Sequence, residues 1–160
     1  MKRIDKVLTH ELFKEYMEKI YECEYNRIFC RHNMEHFLSV ARIAQILNLK
    51  HKLKIDKACV YAAALLHDIG RFKQYEDGTP HDKASAALAL KILRDCGYDD
   101  AETDMIIEAI RNHRNGEIRE EKSLRGILYR ADKLSRSCFA CPVERECGRK
   151  EEKKNRALRY

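Results

Sequence analysis

The strongest constraint on this chain is a stretch that carries no charge. Ala58 to Leu66 is the longest uncharged run, and it leads directly into His67 and Asp68. Read as a helix, the run is apolar on nearly every side, which makes it a buried central helix rather than a surface one. Two ionisable side chains at the end of a buried helix cost free energy unless something compensates them. A metal ion is one such compensation.

The run falls far short of the roughly 20 apolar residues that a membrane span needs. The opening residues Met1-Lys2-Arg3-Ile4-Asp5 lead into more charge and no apolar h-region, so no signal peptide is read and the expected compartment is the cytoplasm. A length of 160 residues fits a single domain, 1–160, and 44% hydrophobic content is enough for one core. Apolar spacing predicts helices near 9–22, 31–49, 55–69, 82–96, 101–114, 120–137 and 143–158, with no sustained β alternation. The expectation is an all-α bundle of about six or seven helices. Its core spans about 31–137, and 138–160 forms a cysteine-containing helical extension. Gly70 is read as a helix C-cap, and Asp77-Gly78-Thr79-Pro80 as a turn.

Ligand-type residues recur on the apolar faces of these helices. His36 lines up with Val40, Ile43 and Leu47, while Ile106, Ala109 and Ile110 lead to His113. Asp132 follows Leu124 and Leu128. A lone histidine on an apolar face is usually a hydrogen-bonded core residue. Four such positions aimed at one core favour a shared ligand, although their convergence rests on periodicity alone.

Three segments resemble the HD superfamily of metal-dependent phosphohydrolases. His36-Phe37-Leu38-Ser39-Val40-Ala41-Arg42-Ile43-Ala44 is similar to the first-histidine segment. Ala62-Ala63-Ala64-Leu65-Leu66-His67-Asp68-Ile69-Gly70-Arg71 resembles the signature dyad, and Ile127-Leu128-Tyr129-Arg130-Ala131-Asp132-Lys133-Leu134 the final aspartate segment. The resemblance implies an HD-domain-like bundle around a metal site, with His36, His67, Asp68 and Asp132 as ligands of a first divalent ion. His81 and His113 match positions that hold a second ion in some members. Arg114 stands where some dinuclear members carry a further histidine, which leaves one ion or two open. His67 and Asp68 would be the catalytic pair, with Asp68 bridging.

The implied reaction is hydrolysis of a phosphate ester or anhydride of a nucleotide or related metabolite by metal-activated water. Imidazole and carboxylate ligands suit Mn, Fe, Zn, Co or Mg without choosing among them. Arg71, Lys73, Arg114, Lys133 and Arg136 are the candidate substrate cations, Arg71 foremost because members usually carry a basic residue there. A few HD-fold proteins instead oxidise an organic substrate with a di-iron pair.

Two further features keep other readings open. His32-Asn33-Met34-Glu35-His36 matches H-x-x-E-H, a zinc-peptidase pattern. It leaves His67, Asp68 and Asp132 unexplained. Cys138, Cys141 and Cys147 have the spacing C-x2-C-x5-C, one thiol short of a four-cysteine zinc or iron–sulfur site, and Cys30 is the preferred fourth ligand. Free thiols are the plainer reading, and a non-enzymatic nucleotide or redox sensor is the functional one. This tail resembles a group of uncharacterised bacterial HD proteins of clostridial type. The net charge of +6, from 32 basic and 26 acidic residues, is interspersed. Nucleic acid is therefore not the expected partner; a small phosphorylated molecule is. Oligomeric state is left open.

Overall fold

A computed structural model of the chain describes residues 2–160; Met1, where the N-terminal reading begins, lies outside the described residues. Eight α-helices are present among them, with no strand: α1 (Lys2–Thr9), α2 (Glu11–Cys23), α3 (Met34–Lys50), α4 (Lys57–Leu66), α5 (Arg71–Glu76), α6 (His81–Asp95), α7 (Asp100–Asn112) and α8 (Leu124–Leu134). The all-α expectation is met. No described helix is long and apolar enough to cross a membrane.

The uncharged run is α4, and it sits at the centre. Eight of its ten residues are buried, and it packs against α1, α3, α6, α7 and α8. Ala62, Ala63 and Ala64 keep its waist narrow, which lets α3 and α7 approach closely. Neighbouring helices begin where short polar side chains satisfy free amides. Asn33 accepts from the His36 amide at 3.0 Å, starting α3 two residues before the first ligand. Asp99 and Glu102 form a reciprocal capping box on α7. Asn48 exchanges hydrogen bonds with both backbone groups of Ile55, which closes the α3–α4 connection.

Several expectations are corrected. The helix expected over 9–22 is α2, and an unexpected helix, α1, precedes it; His10 divides the two and caps α2 by accepting from the Leu12 amide. Gly70 is not a left-handed C-cap: its φ is −87°. A Cβ there would meet Ser85 N at 2.4 Å, so glycine is needed for the close approach of α6. The Gly70 amide donates to Ser85 Oγ at 2.9 Å across that contact. α5 follows directly, a short helix that periodicity did not reveal.

The helix expected over 143–158 does not form. Residues 138–160 hold only three short 3-10 turns, at Cys138–Ala140, Glu144–Glu146 and Glu151–Lys153, and none has a buried residue. The segment Glu144–Lys154 is almost wholly charged and has no apolar stripe to bury. The chain is held instead by Asn155, whose amide donates to Lys133 O at 2.7 Å and Arg136 O at 2.8 Å.

Candidate metal centre

Three elements deliver ligand atoms to one buried point. His36 comes from the first turn of α3, and His67 and Asp68 from the turn that ends α4. Asp132 comes from the last turn of α8. One ligand atom from each lies within 4.8 Å of all the others. Asp68, His81 and His113 form a second such group, with His81 at the start of α6 and His113 at the end of α7.

Asp68 belongs to both groups because its two oxygens face different ways. Its Oδ2 stands 3.1 Å from His67 Nε2 and 3.7 Å from His36 Nε2. Its Oδ1 stands 3.2 Å from His81 Nε2 and 3.4 Å from His113 Nε2. These contacts lack hydrogen-bond alignment. His36 Nε2, His67 Nε2, Asp68 Oδ1 and Asp132 Oδ1 are all buried without a hydrogen-bond partner. Buried polar atoms are almost always paired, so three orphans around the first point, and Asp68 Oδ1 as a fourth facing the second, are the pattern cations would satisfy.

The outer ring nitrogens set the tautomers. His67 Nδ1–H donates to Ala64 O at 2.7 Å, and His113 Nδ1–H to Ile110 O at 2.6 Å. His36 Nδ1 faces Ser135 Oγ at 3.2 Å, and that hydroxyl donates onward to Asp132 O. With Nδ1 engaged outward, each Nε2 is the ring atom turned inward, as a metal-ligating histidine requires. His81 differs. Its Nδ1 lies 2.7 Å from Arg71 Nη1, a donor, and 2.5 Å from Gln74 Oε1, an acceptor. Only the tautomer that donates to Gln74 frees Nε2 as a ligand.

A fifth imidazole faces the first group. His32 Nε2 lies 3.7 Å from Asp68 Oδ2, while its Nδ1 meets Glu24 Oε1 at 2.5 Å. Glu24 also accepts from the His32 amide at 2.7 Å and from the Tyr75 hydroxyl at 2.7 Å. Glu24 was missed from sequence, because a buried acid at the end of α2 looks like any exposed one until the loop folds back. His32 lies outside α3 and Glu35 is exposed, so the H-x-x-E-H pattern does not present two ligands and a base on one helix face.

Electrostatics follow from burial and charge. Burial pushes His36 down to about 4 and His81 down to about 3, so both are neutral near pH 7. Burial would do the same to His67, but Asp68 and Asp132 outweigh it and raise His67 to about 10. Burial would raise the Asp68 and Asp132 carboxyls, yet the surrounding imidazoles hold both well below the usual range. Glu24, also buried, is brought down to about 2 by His32 and Tyr75.

The candidate substrate cations separate. Arg71 and Arg136 line one cavity of about 310 Å³ with His32, Arg27 and Arg149. Lys133 pairs with Asp132 Oδ2. Arg114 is half-exposed and reaches Asp82 at 3.4 Å, near enough for its charge to act on His81, and Lys73 pairs with Glu76. The four cysteines Cys30, Cys138, Cys141 and Cys147 are free thiols lining another cavity. A further acidic group, Asp56, Cys59 and Glu102, is already neutralised by Arg3, and burial pushes the Cys59 thiol up to about 12.

An all-helical protein with convergent buried histidines and aspartates, able to hold a divalent metal, is the class that fold and site define. Comparison with known proteins gives the family: the HD domain model matches residues 33–137, and the chain belongs to the HD domain family. The matched range contains every His/Asp ligand candidate and stops short of the cysteine tail. An uncharacterized protein of Clostridium beijerinckii is 39% identical over 160 residues, covering the whole of both chains. Ribonuclease Y 1 of Pediococcus pentosaceus is 30% identical over 107 residues, which are 67% of this chain and 19% of that protein. Among solved structures, a predicted HD superfamily hydrolase from an uncultured Thermotogales bacterium superposes with a TM-score of 0.58 at 30% identity, covering 76% of this chain and 66% of that one.

Proposed function

We propose that the protein is a metal-dependent phosphohydrolase acting on a phosphate ester or anhydride of a nucleotide or related small metabolite. One observation carries this reading. Orphaned ligand atoms of a buried His/Asp centre lie beside a cavity lined by Arg27, Arg71, Arg136 and Arg149. Guanidinium groups match phosphate oxygens in geometry and charge.

In this reading His36, His67, Asp68 and Asp132 hold one divalent ion, and Asp68, His81 and His113 a second. When bound, such an ion polarises a phosphoryl oxygen and lowers the pKa of a water molecule. The protein's own groups then do the rest. Ala64 O, Ser135 and Ile110 O fix the imidazoles of His67, His36 and His113. Glu24 orients His32 toward the cavity. Arg136, 3.7 Å from Asp132 Oδ1, stands between centre and cavity to receive the phosphate. Arg71 already lines the cavity, held by Gln74 beside His81.

The likeness to a stretch of Ribonuclease Y 1 adds phosphodiesters to the substrates worth testing. The peptidase reading loses support from the exposure of Glu35. The sensor reading loses support from a ligand set that is complete. The test is release of phosphate or nucleoside from a panel of nucleotides, cyclic nucleotides and a chromogenic phosphodiester, with each of Mn, Co, Fe, Zn and Mg. Turnover that requires added metal and vanishes in Asp132→Ala supports the proposal. No turnover with any metal, or equal turnover in Asp132→Ala, defeats it.

A further inference from the structure

The tail that follows Asp132 has no buried residue; Phe139, Asn155 and Leu158 lie along α3, and its cysteines return to the protein at another place. Cys138, Cys141 and Cys147 line a cavity of about 300 Å³ whose opposite wall is Ile28, Phe29 and Cys30. Cys30 lies in the connection between α2 and α3, six positions before His36. Cys138 and Cys141 bracket one 3-10 turn, and residues three apart in such a turn project to the same side. Cys147 ends the next turn. Four thiols from two distant segments therefore face one space.

We propose that Cys30, Cys138, Cys141 and Cys147 ligate an iron–sulfur cluster of the four-iron, four-sulfide (4Fe–4S) type, separate from the His/Asp centre. Three observations carry the assignment.

The first is spacing. A single tetrahedral zinc draws its four sulfurs to about 3.8 Å of one another. Here no three of the four sulfurs come within 4.8 Å of one another, although all line the same cavity. The space suits an occupant wider than one ion.

The second is charge. A cluster held by four thiolates carries net negative charge. Arg149 and Lys154 line this cavity, and Arg136 lies against Cys30 on the side of the His/Asp centre. Lys154 already serves Glu144 and Glu151, which leaves Arg149 as the cation of this cavity, while Arg136 stays with the substrate site.

The third is stability. A segment of 23 residues without a buried apolar side chain cannot hold itself by apolar burial. Asn155 supplies only two hydrogen bonds to the end of α8. A four-point crosslink supplies the rest, since binding free energy at such a site is folding free energy. Each thiol loses a proton to solvent as it ligates, and iron and sulfide come from the cell's assembly machinery or from reconstitution. The other cysteines stand apart. Cys23 is exposed at the end of α2, and Cys59 and Cys96 are in the core.

The experiment is iron and acid-labile sulfide analysis of full-length protein, purified and reconstituted without oxygen using sulfide with ferrous and ferric iron in equal amounts, which supplies the two iron oxidation states of the cluster. Wild type is compared with Cys138→Ser/Cys141→Ser, Cys30→Ser and Cys23→Ser. Sulfide is the decisive readout because the His/Asp centre contributes none. The expected result is about four sulfides per chain in wild type and Cys23→Ser, with a visible charge-transfer band. Sulfide should be lost in both other variants, while their His/Asp metal stays. Wild type with no sulfide, whether the thiols hold zinc or nothing, overturns the proposal. So does full sulfide in Cys30→Ser. Should a variant fail to fold, the wild-type sulfide value still decides.

Discussion

The His/Asp centre and the cysteine tail use similar means, ligand-type side chains facing a common space, but they are held in opposite ways. At the centre, α3, α4, α6, α7 and α8 bring each ligand to its place, and apolar packing fixes them before any ion arrives. In the tail no residue is buried, and the thiols share a cavity without meeting. One site is preorganised by the core. The other, on the proposal above, would be assembled by what it binds. The difference is then one of where the free energy comes from: packing pays for order at the centre, whereas ligation would supply it in the tail.

This comparison can be broken or sharpened by substitution. The largest effect is expected at Asp132, which touches the first ligand group and sits on a fully packed helix. Asp132→Ala should lower metal affinity by more than roughly 100-fold, beyond the range typical of outer partners, while circular dichroism stays helical. Glu24→Gln removes the carboxylate behind His32 without changing volume. It should cost about 10–100-fold in metal affinity or turnover, measured by metal titration and kcat/KM. Arg136→Ala should raise KM for a phosphorylated substrate. The expected cost of about 1.5–3 kcal/mol corresponds to roughly 10–100-fold.

Proton linkage adds a test that needs no substitution. His67 is raised above its ordinary 6.5, so its contribution to the metal-free fold is complete below that pH and is lost as pH climbs through about 10. An incoming metal must displace this proton, since Nε2 is the inward atom. His36 and His81, lowered to about 4 and about 3, are already neutral. Calorimetry in buffers of different ionisation enthalpy near about pH 8 should therefore show about one proton released, with affinity rising as pH rises. Absence of released protons would contradict the assignment of His67. The smallest effect is expected in the tail. Asn155→Ala should speed amide exchange across 138–160 and leave the global unfolding midpoint nearly unchanged.

The centre was legible in sequence because its residues sit on periodic apolar faces. His36, Asp132 and the uncharged run before His67 each declare a buried direction, and the resemblance joins them. Glu24 was not legible, because its burial depends on the loop that brings His32 back over α2. Arg114 reads as a substrate cation from its place beside His113, and its side chain reaches Asp82, next to His81, a contact that sequence does not disclose. Gly70 was placed correctly but for the wrong cause: it yields to Ser85 and Ala84 on α6 rather than ending α4. The tail was misread as a helix because charged residues tolerate one, and only the missing apolar stripe argued otherwise.

The most direct test is metal titration of metal-free wild type beside Asp132→Ala, monitored by the electronic spectrum of Co²⁺ and by bound-metal analysis. The account predicts one or two tightly held ions in wild type, with a spectrum of mixed nitrogen and oxygen ligation, and loss of the first ion in Asp132→Ala. A wild-type centre that stays empty at saturating metal, or an Asp132→Ala protein that binds as wild type does, would contradict it.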